Sequence, residues 1–82
     1  MESFGKYRIR WCPICTQGWI EIVKAIDTNE LYVCCLECET EWESPKDALD
    51  LKVGTHDLYG MVTVPTFEEV CSKGWEKYIS YK

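Results

Sequence analysis

Two pairs of cysteines in the sequence share one spacing. Cys12-Pro13-Ile14-Cys15 and Cys35-Leu36-Glu37-Cys38 are C-x2-C units, and residues 16–34 separate them. Two residues between thiols allow one tight turn to present both sulfurs to the same ion, and two such turns complete a tetrahedron. The spacing therefore predicts one structural zinc ion with four ligands, which are Cys12, Cys15, Cys35 and Cys38. Gly18 is expected to let the chain reverse after the first unit.

Cys34 leaves a second ligand set open, because Cys34 and Cys38 form a C-x3-C pair. The alternation of side chains from Leu31 onwards places Cys34 on a strand beside Tyr32, before the turn begins. We therefore expect Cys35 to be the ligand and Cys34 to be a small buried strand residue.

The sequence gives less support to three other roles of the four cysteines, which are disulfide bonding, redox activity and iron binding. Two disulfides would suit an exported protein, but the sequence has no apolar run long enough for a signal peptide or a membrane span, which favours a cytoplasmic location with reduced thiols. A redox-active C-x-x-C normally opens a helix and does not occur twice at this spacing. Rubredoxin-like iron sites usually have Gly after the second cysteine of each unit, where this chain has Thr16 and Glu39.

Length and composition predict one small folded domain that spans residues 1–82. Hydrophobic residues make up 46% of the 82-residue chain, which is too apolar for intrinsic disorder. A chain of this size buries little surface and commonly needs a metal or disulfides to fold. The formal net charge of -5 disfavours nucleic acid as a partner.

Side-chain patterns predict an α+β fold with an antiparallel β-sheet. Alternation or β-branched runs indicate strands at residues 7–11, 19–26, 31–34 and 39–43, and residues 61–64 suit another short strand. Ser44 followed by Pro45 predicts a short helix that includes Leu49.

Thr66 and Glu69 form a capping box that opens a C-terminal amphipathic helix. Its apolar face is predicted to pack on the sheet and contains Phe67, Val70, Cys71, Gly74, Trp75, Tyr78 and Ile79. Gly74 is expected to allow close packing of the helix backbone, and Cys71 is expected to lie in the core.

The two units and the hairpin between them resemble the zinc-ribbon group of proteins. The resemblance covers residues 7–43, and residues 44–82 would form a helical C-terminal part of the same domain. It implies a structural zinc held at the tips of two turns, but no function, because zinc ribbons occur in proteins of many kinds.

A catalytic role is not expected. The single histidine, His56, lies beside Asp57 with no nucleophile at a recognisable spacing. Four cysteine ligands would also leave no open position on the metal for water or substrate.

An acidic row favours a basic protein partner. Glu39, Glu41 and Glu43 alternate, so on a strand they would share one face and steer a basic surface into contact. Tyr59 and Tyr81 are the expected aromatic anchors. In size, charge and zinc site the chain resembles bacterial toxin-neutralising immunity proteins, which implies a toxin nuclease domain as partner. The alternative for the row is a solvated edge strand that blocks aggregation.

Two other functions remain open. Lys6, Arg8 and Arg10, interleaved with aromatic residues, would suit a nucleic-acid-binding or transcription-accessory module. A carrier protein that presents an acidic side chain to basic enzymes is a third possibility, although such carriers usually end in a modifiable Glu and this chain ends in Lys82.

Overall fold

Five strands and two short helices make up the computed structural model, which describes residues 7–50, 53–55 and 60–79. The strands are β1 (Arg8–Trp11), β2 (Trp19–Ala25), β3 (Leu31–Cys35), β4 (Glu41–Trp42) and β5 (Val62–Thr63). The helices are α1 (Pro45–Leu49) and α2 (Phe67–Ser72), and a 3₁₀ turn follows at Glu76–Tyr78. The predicted α+β class with an antiparallel sheet is confirmed.

The sheet has the strand order β1-β2-β3-β4, and all of its pairs are antiparallel. β5 pairs with the C-terminal end of β2 through Lys24 and Ala25 and so extends the edge that β1 begins. The hairpin between β2 and β3 turns at Asn29, which has a φ of 62°. This hairpin returns the chain from the first cysteine pair to the second.

The two faces of the sheet differ in what covers them. One face carries Ile20, Ile22 and Val33, which form the main core with Trp42 and with residues of the helical segments. The other face carries a smaller buried cluster formed by Val23, Ala25, Tyr32 and Cys34. Because neighbouring residues on a strand point to opposite faces, Cys34 and Cys35 belong to different clusters.

Both helices begin where the sequence predicts. The Ser44 hydroxyl accepts a hydrogen bond from the Asp47 N–H at 3.3 Å, with Pro45 in the first turn. Thr66 and Glu69 form the predicted capping box, with the Glu69 N–H donating to the Thr66 hydroxyl at 3.1 Å. Lys24 of β2 contacts Glu69 at 2.6 Å and ties α2 to the sheet.

The predicted long C-terminal helix is wrong, because α2 ends at Ser72. Gly74 has a φ of 72°, which turns the chain out of the helix and into the 3₁₀ turn. A Cβ at Gly74 would meet nothing within 4 Å, so its role is this left-handed turn rather than close packing. Cys71 is exposed, which corrects its predicted place in the core, whereas Val70 and Ile79 are buried as predicted.

Candidate metal centre

The first cysteine pair lies in a turn, here called the first knuckle (residues 12–18), that follows β1. The Cys12 N–H donates to the Gly18 carbonyl at 2.8 Å, and the Thr16 N–H donates to the Cys12 carbonyl at 3.1 Å. Thr16 has a φ of 52°. These hydrogen bonds close the turn and leave both cysteine side chains on its inner side, beside the main core.

The second knuckle (residues 35–40) connects β3 with β4 and repeats this pattern. The Cys35 N–H donates to the Thr40 carbonyl at 3.0 Å, and the Glu39 N–H donates to the Cys35 carbonyl at 2.8 Å. Glu39 has a φ of 60°. The two knuckles therefore share a left-handed residue after the second cysteine and its hydrogen bond to the first cysteine, and the hairpin of β2 and β3 holds them together.

Gly18 lies where the two knuckles meet. A Cβ at this position would collide with the Cγ atom of Glu37 and would lie 3.7 Å from the Cys35 sulfur. Among the described glycines only Gly60 and Gly74 have positive φ. Gly18 is thus required for close approach of the knuckles, which corrects the expectation that it supplies a reversal of the chain.

The four predicted ligands converge on one point. The sulfur atoms of Cys12, Cys15, Cys35 and Cys38 all lie within 4.8 Å of one another. The Cys12 and Cys38 sulfurs are 3.8 Å apart, and the Cys15 and Cys35 sulfurs are 3.5 Å apart. A tetrahedron with metal–sulfur bonds of about 2.3 Å has edges of about 3.8 Å. The four thiols can therefore hold one metal ion, with each knuckle supplying two sulfurs.

Burial and hydrogen bonding differ among the four thiols. Cys12 and Cys35 have 0% exposure, whereas Cys15 and Cys38 are half-buried. Burial raises the pKa of Cys35, although backbone N–H groups of Cys38 and Glu37 oppose this. Burial also acts to raise the pKa of Cys38, but hydrogen bonds from Thr40 and from the neighbouring thiols lower it to about 7. The site thus contains a thiol that ionises readily, as metal binding requires.

Cys34 is not part of this cluster. Its side chain lies on the opposite face of the sheet with Val23 and Tyr32. Burial, followed by the charges of Glu41, Glu21 and Glu39, raises the pKa of Cys34 to about 12. Its placement as a small buried strand residue beside Tyr32 matches the prediction.

The predicted acidic row does not form as a strand face. Only Glu41 lies on β4, because the left-handed turn at Glu39 delays the strand. Glu39 and Glu43 are exposed, but Glu41 is only 6% exposed and accepts a hydrogen bond from the Thr55 hydroxyl at 3.0 Å. The expectation of three exposed, aligned carboxylates is therefore wrong for Glu41. Tyr59 and Tyr81, like His56 and Lys6, lie outside the described residues.

An acidic groove, which the pattern of single strands does not reveal, lies beside the second knuckle. It has a volume of about 260 Å³, and its lining includes Tyr32, Cys34, Leu36, Glu39, Glu41, Met61 and Val62. Strand register explains the grouping, because Glu21 pairs with Cys34 and Cys34 pairs with Glu41 across three strands. The charges of Glu21, Glu39 and Glu41 all act on the Cys34 thiol. A correct strand pairing would have been needed to find this groove from the sequence.

The basic segment of β1 lies at the other end of the sheet. The Arg8 guanidinium lies 5.3 Å from the centre of the Trp19 ring, and the Trp11 and Trp19 rings meet edge to face at 5.5 Å. Trp11 is 45% exposed. Arg8 and its two aromatic neighbours thus form one partly exposed patch.

In comparisons with known proteins, no family model matches the chain, and neither a curated protein nor a solved structure matches it. Within the described ranges, neither helix has the length and apolar character needed to cross a lipid bilayer.

Proposed function

We propose that the four thiolates hold one zinc ion and that its role is structural. The fit of the sulfur distances to a tetrahedron supports four-sulfur coordination, which is typical of structural zinc sites. A site filled by four protein ligands leaves no position for a substrate, so the proposed role of the protein is non-catalytic. Zinc would join β1, β2, β3 and β4 through the two knuckles.

In this proposal the protein binds a basic protein partner, and the zinc-ribbon core is the scaffold of the binding surface. The observation that carries the proposal is the acidic groove, where two glutamates lie beside apolar side chains. Glu39 and Glu41 line the groove together with Tyr32, Leu36 and Val62. A lysine or arginine of a partner can lay its aliphatic stem on such a floor and direct its charge toward the carboxylates.

The specific form of the proposal is a toxin-neutralising immunity protein with a basic nuclease domain as partner. A net charge of -5 would speed association with a basic surface through electrostatic steering. A nuclease domain has such a surface because it binds phosphate backbones. The face of the protein that contains the acidic groove would then cover part of the basic surface and exclude nucleic acid from it.

The proposal is tested by affinity capture under native conditions with matched charge-reversal variants. Glu39→Lys places a positive charge in the groove, and Glu30→Lys makes the same change at an exposed site in the β2–β3 hairpin. We expect the wild type and Glu30→Lys to retain one basic protein that Glu39→Lys loses. Equal retention of that protein by all three baits would contradict a role of the acidic groove.

The patch of Arg8, Trp11 and Trp19 supports a second candidate function, the binding of single-stranded nucleic acid. Exposed aromatic rings beside a guanidinium can stack bases and neutralise phosphates. An Arg8→Ala, Arg10→Ala double variant tests this candidate. Salt-dependent oligonucleotide binding that this variant abolishes would favour the second function over the first.

A further inference from the structure

Positive charge is concentrated at a second groove, on the side of the sheet that the helices cover. This basic groove has a volume of about 270 Å³ and lies between the start of α1 and the turn after α2. Three lysines line it, Lys46, Lys73 and Lys77, together with the rings of Trp75 and Tyr78. Its described lining includes no carboxylate. The groove shares no residue with the acidic groove or the metal centre.

Two of the lysines rest on aromatic rings of the groove itself. The Lys73 ammonium lies 5.4 Å from the centre of the Trp75 ring, and the Lys77 ammonium lies 5.5 Å from the centre of the Tyr78 ring. Such contacts restrict the long lysine side chains, so less conformational entropy is lost when an anion binds. The rings therefore favour positions of these two exposed ammonium groups close to the groove before a ligand binds.

A salt bridge joins Lys24 and Glu69. Among the described residues, none of the three groove lysines takes part in a salt bridge. Three like charges around one small groove repel one another, and an anion between them would remove that repulsion. This local excess of positive charge occurs in a chain whose net charge is -5. The groove is therefore a local feature and does not follow from overall composition.

The left-handed turn at Gly74 shapes the groove. Its φ of 72° ends the helical path after α2 and brings Lys73 and Lys77 to the same opening. The space beside Gly74 is open, because a Cβ there would meet nothing within 4 Å. A ligand can therefore approach the backbone at this point.

We propose that the basic groove binds a ligand through a diphosphate group. Multiple ammonium groups match the charge of two linked phosphates, and the volume is below the usual range of drug-sized pockets, which favours a small anion. The diphosphate can come from free pyrophosphate or from a nucleoside diphosphate whose base contacts Trp75. The overall negative charge disfavours a long nucleic acid at the same site.

Titration of the metal-loaded protein with pyrophosphate, followed by amide NMR shifts, tests the proposal. We expect saturable shifts at Lys73, Gly74 and Lys77. A Lys73→Gln, Lys77→Gln variant should bind about tenfold or more weakly, because it loses two charge-assisted contacts. The control is a Gln17→Glu, Thr28→Glu variant, which lowers the net charge by the same amount at exposed positions outside the groove and should bind like the wild type.

A parallel titration with adenosine diphosphate separates the two sources of the ligand. Tighter binding than pyrophosphate, with shifts of the Trp75 indole, identifies a nucleotide, whereas equal affinity identifies a free diphosphate; both support the proposal. Absence of saturable binding at millimolar pyrophosphate would overturn it. Equal weakening in the two double variants, or tight binding of an oligonucleotide without binding of pyrophosphate, would also overturn it.

Discussion

Thr16 and Glu39 occupy equivalent positions in the two knuckles, each one residue after the second cysteine of its pair. Their φ angles are 52° and 60°, in the left-handed region that favours glycine. Each residue donates its N–H to the carbonyl of the first cysteine in its knuckle, at 3.1 Å for Thr16 and 2.8 Å for Glu39. The hydrogen bonding of the cysteine turn therefore imposes this conformation on both residues.

Replacing Glu39 with Gly should stabilise the metal-loaded protein. A side chain in the left-handed region costs about 1 to 2 kcal/mol, and the greater freedom of Gly in the unfolded chain offsets about 0.5 to 1 kcal/mol of the gain. We expect Glu39→Gly to raise the free energy of unfolding by about 0.5 to 1 kcal/mol in denaturant titrations.

Two control variants separate conformation from charge in this experiment. Glu39→Gln removes the same charge but keeps the Cβ, so it should not reproduce the gain. Gly74→Ala makes the reverse change at a φ of 72°, where the added Cβ meets nothing, and should lower the free energy of unfolding by about 1 kcal/mol. An equal gain in Glu39→Gly and Glu39→Gln would show that charge, not backbone strain, is responsible.

Substitution with serine should destabilise the protein far more at Cys35 than at Cys34. Cys35→Ser removes a metal ligand, and a structural zinc contributes about 10 to 16 kcal/mol of apparent binding energy against a total stability of about 5 to 15 kcal/mol. We expect this variant to unfold and to lose the metal. Cys34→Ser should retain the metal and lose about 1 to 3 kcal/mol, because a hydroxyl enters an apolar cluster. The reverse ranking in thermal unfolding and metal content would mean that Cys34 is the ligand.

Cys71 should be the first cysteine to react with an alkylating agent in the folded protein. It is exposed on α2, whereas Cys34 is only 5% exposed and the other four described cysteines form the metal centre. Partial desolvation by neighbouring atoms and the charges of Glu76 and Glu68 raise the pKa of Cys71, so the reaction should be slow at neutral pH and faster above pH 9. Mass spectrometry should show one modified cysteine per chain, and none in Cys71→Ser.

The Lys24–Glu69 contact should make the Glu69 carboxyl titrate below its usual range. Hydrogen bonds from the Lys24 ammonium and from the Thr66 N–H lower the pKa of Glu69, and the charge of Lys24 acts in the same direction. The folded state thus favours the ionised form, and this stabilisation is present above the pKa of the unfolded chain and is lost as the pH falls through the lowered pKa. Carbon-13 NMR titration should show the shift, and Lys24→Met should raise the pKa of Glu69. An unchanged pKa in that variant would show that the contact does not form in solution.

Features that depend only on residues close together in the chain could be predicted from the sequence. The cysteine spacing identifies all four residues of the metal centre, and the capping residues identify the starts of α1 and α2. The alternation of side chains along a strand correctly assigns Cys34 and Cys35 to opposite faces of the sheet. This assignment depends only on the position of each residue along its strand.

The features that the sequence does not predict depend on contacts between distant segments. Trp75 and Tyr78 pack against the core as the helical spacing implies, but a left-handed Gly74 and a 3₁₀ turn bring them there instead of a continuous helix. Glu41 alternates with its neighbours as an exposed strand residue would, yet Thr55 covers it from a later segment. Strand pairing also creates the acidic groove, so no single stretch of sequence contains it.

X-ray absorption spectroscopy of the purified, reduced protein, combined with elemental analysis, tests the metal centre most directly. Four thiols within 4.8 Å of one another predict one zinc per chain with four sulfur neighbours at about 2.3 Å, and removal of the metal by a chelator should unfold the protein. Iron in place of zinc, fewer than four sulfur neighbours, or a metal-free protein that remains folded would contradict the account.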